Sequence, residues 1–158
     1  MHRRGFLKKN AFALAGGSLA AACARAGRLP GEQRRLSNQL SPRVQMQFMR
    51  PGQLEAAGRR FPVVYVPFGL IEWHGRHMPL GNDAIKAHAF LVKCAEKFGG
   101  VVYPPIYFPA GFQREHLEPV LTGLFNRLKR TGFRVILGVS GHNVRQQIEM
   151  LNAALAPV

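Results

Sequence analysis

Apolar residues in this chain fall into short dense runs and helical stripes, with Gly and Pro at the joins. Val63 to Ile71 (VVYVPFGLI) is nearly free of polar residues and rich in β-branched and aromatic ones, which predicts a buried strand. A loop punctuated by Gly75, Pro79 and Gly81 follows. Ile85, Ala89, Val92 and Cys94-Ala95 then share a helical face opposite Lys86, Lys93 and Lys97, and Gly99-Gly100 is a stop. Val101 to Tyr103 predicts a short strand ended by Pro104-Pro105. Leu117, Leu121, Leu124, Phe125 and Leu128 predict a stronger helix, with Lys129-Arg130 at its negative end and Gly132 as its cap. Phe133 to Val139 predicts a third strand, and Val144, Ile148, Leu151 and Leu155 mark the apolar stripe of a last helix. Strands alternating with helices imply an α/β fold, a mostly parallel sheet with flanking helices, because parallel neighbours need crossover connections.

Before the first strand the pattern weakens. Val44 to Arg60 carries Met46, Phe48, Met49 and Leu54 broken by Pro51-Gly52, which predicts a short strand or turn and then a short helix. Residues 27–43 are polar, hold Pro30, Gly31 and Pro42, and read as a linker. Residues 1–26 place Arg3-Arg4-Gly5-Phe6-Leu7-Lys8 ahead of a weakly apolar Ala/Leu/Gly run, which resembles a twin-arginine export signal. The resemblance implies a periplasmic destination with only transient membrane contact. Cys23 after three alanines is a poor lipid-attachment box, so lipoprotein anchoring is the lesser reading.

Composition adds two constraints. An apolar share of 47% over 158 residues suits one globular domain, here expected over 44–158. The formal charge of +14 invites a nucleic-acid reading, but five of the 22 cations lie in the leader, leaving 17 against 8 acids. Those 17 are scattered in pairs such as Arg59-Arg60, without aromatic interleaving, so they read as a solvated surface and not a specific nucleic-acid site. Two cysteines make no disulfide framework, and Cys94 within a helical pattern reads as a small core residue.

The candidate chemistry is concentrated in one loop. Glu72, His74, His77 and Asp83 leave the end of the first strand within twelve residues, and such a loop can fold carboxylates and imidazoles around one or two divalent ions. The same residues also suit plainer roles: Glu72 solvated, His74 packed, Asp83 capping the following helix. In a parallel sheet the loops after strands share one edge, where ligands bind. His142, after the third strand, therefore belongs to the same edge as Glu72, His74 and Asp83.

With those residues placed, Pro67-Phe-Gly-Leu-Ile-Glu72-Trp-His74-Gly-Arg-His77-Met-Pro79-Leu-Gly-Asn-Asp83 resembles the signature of the creatininase (creatinine amidohydrolase) family. Tyr103-Pro104-Pro105 and Ser140-Gly141-His142-Asn143 add to the likeness, which spans about Val44 to Leu155. The resemblance implies a three-layer fold and a metal-dependent hydrolase of small, often cyclic, amides with two zinc or manganese ions. It implies Glu72, His74, Asp83 and His142 as ligands, with Asp83 bridging; His77 fits the signature, its role open between donating to a ligating carboxylate, orienting the loop and packing. Two departures stand out. Val144 occupies a position where some members carry a further carboxylate, and the segment from Pro104 to Gly132 is short, so His116 reads either as an echo of a family histidine or, more simply, as a solvated or helix-start one. Little sequence follows the last helix, so the fold is expected to be incomplete at its C-terminus and the chain to associate into homo-oligomers. The alternative to an amidohydrolase is a metal-binding or subunit-interaction fragment without catalysis.

Overall fold

The computed structural model describes residues 40–158; the twin-arginine segment, Cys23 and nearly all of the expected linker lie outside them. Two 3-10 turns, Pro42–Val44 and Met46–Phe48, precede helix α1 (Pro51–Arg60) and strand β1 (Val63–Ile71). Helix α2 (Asn82–Phe98), strands β2 (Val101–Val102) and β3 (Ile106–Pro109), helix α3 (Arg114–Arg130), strand β4 (Val135–Ser140) and helix α4 (Arg145–Leu155) follow. Leu40 packs beside Val44 on the core, and the Ser41 N–H donates to Glu96 Oε1 at 3.0 Å.

All pairings in the sheet are parallel, with β1 in the middle. β4 runs along one edge of it, from Val63 opposite Val135 to Phe68 opposite Ser140. The other edge is shared by β2, opposite Val64 and Tyr65, and β3, opposite Phe68 to Ile71. The break between them falls beside Val66-Pro67. Pro67 offers no N–H there and Pro104-Pro105 offers none from the other side, so the ladder lapses and then resumes. The sequence pattern ends that strand at Pro104-Pro105 and misses β3, whose IYFP is too short to show a period.

Successive strand residues point to opposite faces. Val64, Val66, Phe68 and Leu70 pack against Phe125 and Leu128 of α3 and Met150, Leu151 and Ala154 of α4. Tyr65 packs on the other face with Leu91, Val92 and Ala95 of α2. The result is three layers, helix over sheet over helices, centred on Phe68, whose ring stacks on Phe108 at 5.7 Å and meets Phe125 edge-on at 6.2 Å. Val135 and Leu137, on the α2 side of β4, remain almost half exposed.

Two helices are turned relative to their expected faces. The buried stripe of α2 is Asp83, Ala84, Ala87, Leu91, Val92 and Ala95, while Ile85 is exposed. Small residues at the start of this stripe let the helix lie close to the sheet, and Ile85 yields its place to them. In α4 the buried residues are Gln147, Met150, Leu151 and Ala154, and Val144 stays exposed. Gln147 is fully buried with neither amide atom hydrogen-bonded. No helix among the described residues is long and apolar enough to cross a membrane.

His88, on α2, has a buried Nε2 without a partner, and burial pushes its pKa below the ordinary value of about 6.5. Below that value the unfolded chain binds more protons than the folded one, so stability is full above it and falls as the pH drops toward the folded-state pKa. His88→Leu is expected to shrink the loss of Tm between pH 7.5 and 5. An equal loss in variant and parent would refute this role.

Candidate metal centre

The candidate site lies where β1 and β4 end side by side. Glu72 is the first residue beyond β1, and its N–H donates to the Leu80 carbonyl at 3.0 Å, closing the loop that carries His74 and His77. His142 follows β4 through a turn in which Ser140 Oγ accepts from the His142 N–H at 3.1 Å and donates to its carbonyl at 2.6 Å. The Gly141 N–H donates to the Phe68 carbonyl at 2.9 Å, which ties this turn back to the central strand.

Asp83 enters from the first turn of α2 and is only 3% exposed. Two glycines admit it. A Cβ on Gly69 would lie 2.1 Å from the Ala84 nitrogen, and one on Gly141 would lie 2.0 Å from the Asp83 carbonyl oxygen. The start of α2 is thus seated directly on the ends of β1 and β4. Its unpaired amides favour a negative charge there.

The Asp83 carboxylate reaches both histidines. Oδ1 lies 3.0 Å from His74 Nε2, and Oδ2 lies 3.1 Å from His142 Nδ1. Glu72 Oε1 is 2.9 Å from His142 Nδ1 and 3.6 Å from His74 Nε2. His74 Nδ1 lies 3.1 Å from the Glu72 carbonyl, so in the tautomer that donates there the Nε2 lone pair faces the Asp83 oxygen. In the other tautomer Nε2 donates to Asp83 Oδ1 and holds that oxygen by a hydrogen bond.

Ligand atoms of Glu72, Asp83 and His142 all lie within 4.8 Å of one another. Neighbouring donors about 3 Å apart suit bonds of about 2.0–2.2 Å to one shared ion. Two carboxylates and an imidazole form a donor set that zinc and manganese both accept. The residues present therefore fit a divalent cation.

The structure thus brings Glu72, His74, Asp83 and His142 together, and it sets aside the plainer reading of Asp83. Asp83 does not cap α2: Gly81 stands at that position, and the carboxylate is turned to the histidines. His77 is exposed on a turn, with no hydrogen bond among the described residues. Lys86 is exposed, as expected of the solvent face of α2, and its Nζ also lies 3.7 Å from Asp83 Oδ1. The signal for that contact was its spacing of three from Asp83 on a helix. His116 is exposed in the first turn of α3, in agreement with its expected solvated role. A cavity of about 580 Å³ lined by Arg43, Arg60, Lys97 and Gly99 lies at the opposite end of α2 and includes none of the four converging residues.

Comparison with known proteins bears on this geometry. Among solved structures, a creatinine amidohydrolase (creatininase) superposes with a TM-score of 0.65 at 19% identity, over 71% of this chain and 49% of its own. A creatininase in its Mn form gives 0.63 at 21%, and a Zn-Zn type mutant 0.65 at 20%, with the same coverage. At such identities the likeness is one of fold, and the chain spans about half the length of these proteins. A search of curated proteins gives no match. The family model for creatininase, described as creatinine amidohydrolase, matches residues 47–157, and the chain belongs to that family.

Proposed function

We propose that this chain binds a divalent metal through Glu72, Asp83 and His142 and serves a creatininase-type amidohydrolase reaction on a small amide, cyclic amides included. The observation that carries this reading is the convergence of those three side chains within 4.8 Å at the carboxyl edge of the sheet. Zinc and manganese are the proposed ions, in keeping with the named forms of the structural neighbours. When bound, such an ion polarises an amide carbonyl and makes hydroxide available from water near neutral pH.

The chain's own residues have separable tasks. The carboxylates of Glu72 and Asp83 offset the charge of a dication, and His142 adds a neutral donor. His74 fixes the Asp83 carboxylate from its other oxygen at 3.0 Å. The turn hydrogen bonds at Ser140 hold the backbone of His142, which limits the entropy lost when the site closes on an ion. Trp73, 71% exposed between Glu72 and His74, is proposed to contact substrate.

Metal-loaded and metal-stripped protein offered a panel of five- and six-membered cyclic amides provides the test. Ring opening that requires metal and is lost in Glu72→Gln is the expected result. Bound metal without turnover of any amide would favour the second reading, a metal-binding fragment without catalysis, for which Val144 in place of a carboxylate is the supporting feature.

The leader supports a further proposal, export to the periplasm. Replacing Arg3-Arg4 by Lys-Lys is expected to leave the protein in the cytoplasm, and unchanged secretion would refute it.

A further inference from the structure

The two oxygens of Asp83 look into different surroundings. On the Oδ2 side stand His142 Nδ1 at 3.1 Å and, 2.9 Å from that nitrogen, Glu72 Oε1. That is a set of three donors, two of them anionic. On the Oδ1 side stand His74 Nε2 at 3.0 Å and the Lys86 ammonium at 3.7 Å. An ammonium has no lone pair to give and repels a cation. Glu72 Oε1 leans away from this side, 3.6 Å from His74 Nε2 against 2.9 Å from His142 Nδ1.

A second dication on the Oδ1 side would have one imidazole and one shared carboxylate oxygen of its own. It would also face the first ion across Asp83 and the positive charge of Lys86. Val144, two residues after His142, is an alkyl side chain and 40% exposed, and brings no further oxygen.

We infer that the chain holds one divalent ion, between Glu72, Asp83 and His142, and that Lys86 and His74 occupy the other oxygen of Asp83 in place of a second ion. This inference rests on the metal-binding reading above. It makes His74 a positioning residue for Asp83 and sets the donor asymmetry, not the number of histidines, as the limit on stoichiometry.

The test is titration of the full, chelator-stripped chain with Mn²⁺, followed by calorimetry and electron paramagnetic resonance. One ion per chain is expected, with a six-line spectrum free of exchange coupling. His142→Ala is expected to weaken binding by more than about 100-fold, whereas His74→Ala should cost less, about 10–100-fold, and keep the ratio at one, as for a residue that orients a ligand. Lys86→Glu, an exposed and readily tolerated change, removes the ammonium, adds a carboxylate and is expected to admit a second, exchange-coupled ion. Two coupled ions in the parent chain would overturn the inference while leaving the metal reading intact. Absence of any bound ion would overturn both. His74→Ala as costly as His142→Ala would overturn the asymmetry, and Lys86→Glu remaining at one ion would overturn the role of the lysine.

Discussion

Asp83→Ala is expected to reduce divalent-metal affinity by more than about 100-fold, or about 2.8 kcal/mol, because it removes a ligand where even orienting residues cost 10–100-fold. Asp83 lies within hydrogen-bond distance of both histidines, at 3.0 Å through Oδ1 and 3.1 Å through Oδ2. Its loss removes one of two anionic donors and frees both imidazoles at once. Asp83→Asn keeps the shape and loses the charge, so it is expected to retain the fold and still bind poorly. Isothermal titration with Zn²⁺ or Mn²⁺ measures both. Parent-like affinity in either variant would remove Asp83 from the site and take the metal assignment with it.

Gly141→Ala is expected to destabilise the chain by more than about 3 kcal/mol, beyond the usual range for overpacking. The added Cβ would lie 2.0 Å from the Asp83 carbonyl oxygen and 2.7 Å from its carbonyl carbon, and both are backbone atoms that no rotamer change can move. Relief requires α2 to lift off the strand ends, which moves Asp83 away from His142. The variant should therefore lose metal affinity along with stability. Gly123, inside α3, is the internal control: a Cβ there meets nothing within 4 Å, so Gly123→Ala should stabilise by about 0.5–1 kcal/mol through helix propensity alone. Urea unfolding of the three proteins decides the matter. A Gly141→Ala midpoint near that of the parent would show that the helix start is not seated as described.

Local pattern determined a good part of this protein. The run VVYVPFGLI reads as a buried strand because it is apolar on both faces, and Val64 to Leu70 are buried. Leu121, Phe125 and Leu128 repeat at helical spacing and are the residues that α3 buries. Glu72, His74 and Asp83 were legible as candidates because a parallel sheet gathers its loops at one edge, which also drew in His142 from 59 residues beyond Asp83. Other features depend on distances between segments, which no local pattern encodes. β3 exists because β1 extends past Pro67 and offers Phe68 to Ile71 as a template, and its own four residues carry no period to announce it. The face of α2 is set by how closely Asp83 and Ala84 approach Gly69 of the sheet, and this leaves Ile85 exposed, which hydropathy alone would bury. That same rotation decides the chemistry. It aims the two oxygens of Asp83 at different histidines and brings Lys86 to one of them, because side chains three apart on a helix share a face while their distance from other segments is settled only by packing.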